Sequence, residues 1–180
     1  MHRPRGTLAA RSITKSYGDI VVLDGLSLSV TPSSRIGVVG PNGIGKSTLL
    51  RVLAGLEEPD GGSVAHEPPG LDVAYLVQER SENGLSGGEA ARRNLEAILA
   101  ADADVLLLDE PTNDLDFAAL ELLERFVADR PGGAVIVSHD RAFLERTVTR
   151  VLELDEIAHT ASEYGGGWAG YLELRATAAR

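Results

Sequence analysis

Gly40-Pro41-Asn42-Gly43-Ile44-Gly45-Lys46-Ser47-Thr48 fits the pattern G-x-x-x-x-G-K-[ST] of a phosphate-binding loop. The chemistry follows from the residue types. Gly40, Gly43 and Gly45 let the backbone curl so that its N–H groups face an anion. A helix starting at Lys46 aims its positive end at the same place. Lys46 is long enough to reach β- and γ-phosphates, Ser47 offers a hydroxyl to Mg²⁺, and Asn42 and Thr48 belong to the same cradle. The short apolar strand Arg35 to Val39 runs straight into the loop. That strand–loop–helix context separates the motif from a chance glycine turn.

A second chemical feature is Asp109-Glu110, which ends the apolar run Val105-Leu106-Leu107-Leu108. A buried strand of this kind presents its terminal carboxylates at the sheet edge where open α/β sheets bind ligands. Asp109 is placed to hold Mg²⁺, directly or through water. Glu110 is placed to orient or deprotonate an attacking water. His139 follows a second buried strand, Ala134 to Ser138, and is either a structural histidine or a γ-phosphate contact. Gln78 ends the run Val73 to Val77 and is a weak signal alone. Tyr17 precedes Gly18 and offers either a core aromatic or a ring to stack on adenine. Leu85-Ser86-Gly87-Gly88-Glu89 opens a helix, with Ser86 as its cap and Gly87 and Gly88 permitting close approach of an anion. One site does not need two phosphate-binding devices. A dimer does, if each subunit's second device closes over its partner's nucleotide.

The elements that must position these groups are legible from periodicity. Leu26 to Val30 alternates as a half-buried strand, and Pro59-Asp60-Gly61-Gly62 reads as a turn. Lys46 onward is helical up to Gly55. Gly87 to Ala101 and Phe117 to Ala128 are helix-forming, Arg141 to Arg146 is a short helix, and Val148 to Leu154 is a strand. Trp168 opens a terminal helix. Strands alternating with helices give an α/β fold, a mostly parallel sheet flanked by helices.

Composition excludes several classes. The 180 residues contain no cysteine, so disulfide, thiolate-metal and cysteine-nucleophile chemistry are absent. The net charge of −10 argues against strong nucleic-acid binding by this chain alone. The basic start, Met1 to Gly6, precedes no apolar segment, and no run is long enough to span a bilayer. A cytoplasmic protein without direct membrane insertion is expected.

Taken in order, Tyr17, the loop Gly40 to Thr48, Gln78, Leu85 to Glu89, Asp109-Glu110, Asn113 to Asp116 and His139 resemble the motifs of the ATP-binding-cassette superfamily. The resemblance covers nearly the whole chain. It implies a P-loop fold with an N-terminal antiparallel β portion, ATP and Mg²⁺ as cofactors, and a head-to-tail pair of cassettes. It assigns catalysis to Glu110, His139 and Gln78. It gives the metal to Ser47, Gln78 and Asp109, and nucleotide contacts to Tyr17, the phosphate loop, Ser86, Gly87, Gly88 and Asp116. Leu115 and Asp116 would lie in the loop that meets the second cassette.

A finer likeness is to the first cassette of the F subfamily, soluble tandem ATPases that act on ribosomes. Glu110-Pro111-Thr112-Asn113-Asp114-Leu115-Asp116, Ser138 to Leu144 and Tyr164 to Tyr171 carry it. Between Gln78 and Leu85 lie only residues 79–84, where the family places a helical subdomain and the F subfamily can add a ribosome-reaching arm. The chain is therefore expected to be one cassette, 1–180, shortened at 79–84, with 164–180 beginning a linker helix. The function implied is an ATPase of a translation or antibiotic-resistance factor, with ribosome contact through the missing segments. The alternatives are the ATPase subunit of a membrane transporter and a nucleotide-binding half-module without turnover.

Overall fold

The computed structural model describes residues 6–77 and 87–178. Two sheets form. The first is antiparallel and three-stranded, in the order β2-β1-β4, from β1 (Thr7–Tyr17), β2 (Ile20–Val30) and β4 (Gly61–Glu67). The second has the order β5-β6-β7-β3-β8-β9. Its strands are β3 (Arg35–Val39), β5 (Val73–Val77), β6 (Val105–Asp109), β7 (Gly133–Val137), β8 (Arg150–Leu154) and β9 (Ala161–Gly165). The first five are mutually parallel, and β9 runs antiparallel at one edge. The helices are α1 (Lys46–Leu53), α2 (Gly87–Ala100), α3 (Phe117–Asp129), α4 (Arg141–Thr147) and α5 (Gly167–Ala178).

Side-chain alternation sorts the core into two layers. Val105 and Leu107 of β6, and Val135 and Val137 of β7, pack with α1 and the antiparallel sheet. Leu106, Leu108, Ala134 and Ile136 face the other way, onto Leu95 and Ile98 of α2, Leu123 and Val127 of α3, and Phe143 and Leu144 of α4. A strand buried on both faces carries apolar residues at every position, which is why these runs lack polar alternation.

The sequence expectations need one correction. Gly61 and Gly62 do not belong to a turn; they begin β4, paired to Thr14 and its neighbours on β1. Helix α1 ends at Leu53 with Ala54 as its cap, and Gly55 follows with φ +70°, the glycine stop expected from the sequence. The stretch from Tyr164 is a strand end followed by α5, the terminal helix expected from Trp168, with Tyr164 and Tyr171 ring centroids 5.3 Å apart and the Trp168 ring tilted by 46° at 5.2 Å from Tyr171. The composition of that segment also suits a glycine tether, but the rings and the Tyr171 hydroxyl on Glu153 Oε1 (3.0 Å) pin it to β8.

Two buried arginines tie the far edge. The Arg35 guanidinium donates to the carbonyls of Val127 and Arg130 at the end of α3, and to Ser34 and Gly132. Arg130 donates to Gly133 and Ala103. These bonds satisfy helix-end carbonyls that burial would otherwise orphan. Arg35→Met keeps the stem's packing and removes the donors. It should cost about 3 kcal/mol and lower the melting temperature by roughly 6–12 °C. A thermal melt within a degree of wild type would contradict this assignment.

Candidate nucleotide site

Strands β6, β7 and β3 are neighbours, and the chain leaves each of them at the same edge. The phosphate loop follows β3, Asp109-Glu110 closes β6, and Ser138-His139 follows β7. Adjacent parallel strands therefore bring three sequence-distant motifs to one place. Between them lies a cleft of about 650 Å³, lined by Tyr17, Asn42, Gly43, Gly45, Lys46, Ser47, Thr48, Asp109, Glu110, Asn113 and His139, among others. That size suits a nucleotide-scale ligand.

The loop's backbone demands its glycines. Gly45 caps α1 with φ 110°, and a Cβ there would come within 2.4 Å of Val22 Cγ1. Helix α1 carries no acidic residue in its first turn, so its positive end is unopposed. Lys46 is buried and its Nζ donates to the Gly40 and Pro41 carbonyls at 2.8 and 2.9 Å. Burial pushes the Lys46 ammonium below its ordinary value, while Glu110 and Asp109 hold it up.

Opposite stand the carboxylates. Asp109 is buried, continuing the odd-numbered face of β6 toward α1. Its Oδ2 accepts from the Tyr75 hydroxyl at 3.1 Å. Glu110 has φ +53°, a left-handed conformation that costs a non-glycine residue about 1 kcal/mol or more and is typical of functional turns. Its Oε1 lies 3.1 Å from His139 Nε2, and its Oε2 accepts from the His139 backbone N–H at 3.3 Å. Burial raises the Glu110 pKa, against the opposing pull of His139.

That shift has a stability consequence. Below the ordinary value of 4.5 both folded and unfolded chains hold Glu110 protonated, and the group contributes nothing. As pH rises through the raised folded value, the folded state must carry a partly buried charge and loses stability relative to the unfolded chain. Glu110→Gln should therefore melt higher than wild type at pH 7, and the gap should close as pH falls toward 4.5. A gap that widens on acidification would contradict the burial argument.

His139 is positioned by its neighbours. Ser138 Oγ bonds Thr112 Oγ1 at 2.9 Å, tying the β7 exit to the loop after Glu110. Asp140 caps α4 by accepting from the Phe143 N–H at 3.0 Å, and Phe143 is fully buried. Tyr17 is 45% exposed, so it is no core aromatic. Its hydroxyl donates to Glu57, lies 3.4 Å from Thr48 Oγ1, and leaves the ring on the cleft wall. The hydrogen bond from Tyr17 is the main reason the Glu57 carboxyl sits below its usual range.

Ser47 and Asp109 place hard oxygen donors on the same cleft. They suit Mg²⁺, which takes one or two protein ligands plus phosphate oxygens and water. Among the described residues no group of three or more His, Asp or Glu side chains forms a protein metal cage. A Mg·nucleotide site does not require one.

Other sequence-predicted residues fall elsewhere. Asp116 caps α3, accepting from the Ala119 N–H at 2.8 Å, and Asp116 and Gly88 are not in the cleft lining. Gly87 and Gly88 open α2. Gln78 and Ser86 lie outside the described residues. Sequence reasoning missed Tyr75, Asn113 as a wall residue, and the Arg51–Glu57 pair at 3.0 Å behind Tyr17. A lone polar aromatic inside an apolar strand was the available signal for Tyr75.

A central parallel sheet whose phosphate loop faces an acidic strand end is a P-loop nucleotide-binding domain. The antiparallel sheet packed beside α1 narrows the class, and the chain belongs to the ATP-binding-cassette superfamily. The family described as "ABC transporter" matches residues 23–80. The chain resembles members of the F subfamily. It is 34% identical to the energy-dependent translational throttle protein EttA of Haemophilus influenzae, over 93% of this chain and 38% of that protein. It is 32% identical to the tylosin resistance ATP-binding protein TlrC of Streptomyces fradiae, over 98% of this chain and 47% of that protein. An uncharacterized ABC transporter ATP-binding protein of Bacillus subtilis, YfmR, is 32% identical over 92% of this chain and 33% of its own. The chain thus spans less than half the length of these relatives. The first two alignments run over 212 and 260 residues against the chain's 180, so both relatives hold internal residues with no counterpart here. Members of the family hydrolyse ATP in general, and use Mg²⁺ to do so. No helix among the described residues is long and apolar enough to cross a membrane.

Proposed function

We propose that this chain is one Mg·ATP-binding cassette of a translation or antibiotic-resistance factor, hydrolysing ATP when paired with a second cassette. The observation that carries it is the shared cleft: Lys46, Ser47, Asp109, Glu110 and His139 line one cavity. Lys46 and the loop N–H groups bind the phosphates, and Tyr17 stacks on the base. Ser47, Asp109 and Gln78 hold Mg²⁺, which when bound neutralises charge on the β- and γ-phosphates. Glu110 orients or deprotonates the attacking water, and His139 contacts the γ-phosphate. Ser86, Gly87, Gly88 and Asp116 serve the partner's nucleotide, in keeping with the positions of Gly88 and Asp116 away from this chain's own cleft.

The names of EttA and TlrC support a role in translation or resistance. Ribosome contact then runs through segments beyond the ones present here, since the chain is acidic. The residues that the relatives carry and this chain lacks also favour a second reading, a half-module that binds ATP without turnover. ATP hydrolysis per molecule, measured against protein concentration with Glu110→Gln as control, separates the two. A specific rate that rises with concentration and vanishes in the control supports a working pair. A flat background rate with ATP still bound supports the half-module.

A further inference from the structure

Asp109 lines the cleft with Glu110 and is the acid assigned above to Mg²⁺, and its geometry is not set by its own strand alone. Tyr75 sits on β5, the neighbouring parallel strand, where Val77 is in register with Asp109 and Tyr75 with Leu107. Residues 75, 77, 107 and 109 alternate with their apolar neighbours, so Tyr75 and Asp109 share the face that α1 covers. The ring packs against the core on that side, and the hydroxyl reaches Asp109 Oδ2 at 3.1 Å. Asp109 is only 7% exposed, so solvent cannot readily replace that bond.

We propose that Tyr75 is a positioning residue for Asp109, holding its carboxylate in one orientation in the cleft where Asp109 and Ser47 would hold the metal. This rests on the reading of the cleft as a Mg·ATP site. Carboxylates that ligate metals are commonly oriented by an outer hydrogen bond, and its loss typically costs about 10- to 100-fold in metal affinity. A ring needed only for packing would be served as well by phenylalanine.

The test is ATP binding by titration calorimetry across a Mg²⁺ series, for wild type, Tyr75→Phe, Asp109→Asn and the double variant. Tyr75→Phe is expected to raise the half-saturating Mg²⁺ concentration about tenfold, while ATP affinity in EDTA stays at the wild-type value. In the Asp109→Asn background, Tyr75→Phe should add no further Mg²⁺ effect. An unchanged Mg²⁺ requirement in Tyr75→Phe overturns the proposal. So does a loss of ATP affinity that is the same with and without Mg²⁺, which would mark a structural role. If wild type binds no ATP at all, the cleft reading fails and this proposal with it. If wild type binds with a clear Mg²⁺ requirement that Tyr75→Phe leaves untouched, only the positioning role fails.

Discussion

Lys46→Ala is expected to weaken ATP binding by about 100- to 1000-fold, equivalent to about 2.7–4 kcal/mol. The ammonium is held over the loop by the Gly40 and Pro41 carbonyls, where an incoming phosphate can take it over without a long rearrangement. It is also the cation that faces Asp109 and Glu110 across the cleft. Removing it leaves two carboxylates directed at a polyanion, so repulsion adds to the lost charge-assisted hydrogen bonds. The fold should survive, because the α1 packing rests on Leu49, Leu50, Val52 and Leu53. Equilibrium titration with Mg·ATP checks this, with circular dichroism as the folding control. Affinity unchanged from wild type would remove the loop from the site.

Glu110→Gln is expected to leave ATP affinity within about threefold while lowering turnover by about 10²- to 10⁴-fold. Gln preserves the shape and the acceptor for the His139 N–H, now made at 3.3 Å. It cannot take a proton. The raised pKa of Glu110 brings the carboxylate closer to the range in which a general base works near neutral pH. Its left-handed backbone aims the side chain off the strand axis toward His139, geometry that a simple strand end would not adopt. With turnover blocked and binding intact, ATP-held pairs should accumulate, and gel filtration with and without ATP reads that directly. Turnover equal to wild type in single-turnover assays would assign the base elsewhere.

The sequence made the chemistry more legible than the scaffold around it. The phosphate loop and the acidic strand end announce themselves because their residue types are constrained by ligand chemistry. The strands β6 and β7 announce themselves because burial on both faces leaves no polar position. Strand β4 was hidden. Its Gly61-Gly62 start reads as a turn, and only pairing with β1 makes it a strand. Strand β9 was hidden for a similar reason, since Ala161 to Gly165 has no apolar alternation and is held by register with β8. Tyr75 escaped because its role depends on which strand lies beside β6, and strand order is not local information. The role of Asp116 as a helix cap could have been anticipated, because Asp before an apolar helical run is a common N-cap.

The most direct test of the central claim is an equilibrium titration of the wild-type chain with Mg·ATP, read by calorimetry for stoichiometry and affinity. The account predicts saturable binding of one nucleotide per chain, weakened when Mg²⁺ is withheld and lost in Lys46→Ala. Absence of saturable binding by a folded chain, or binding that Lys46→Ala leaves intact, would contradict it.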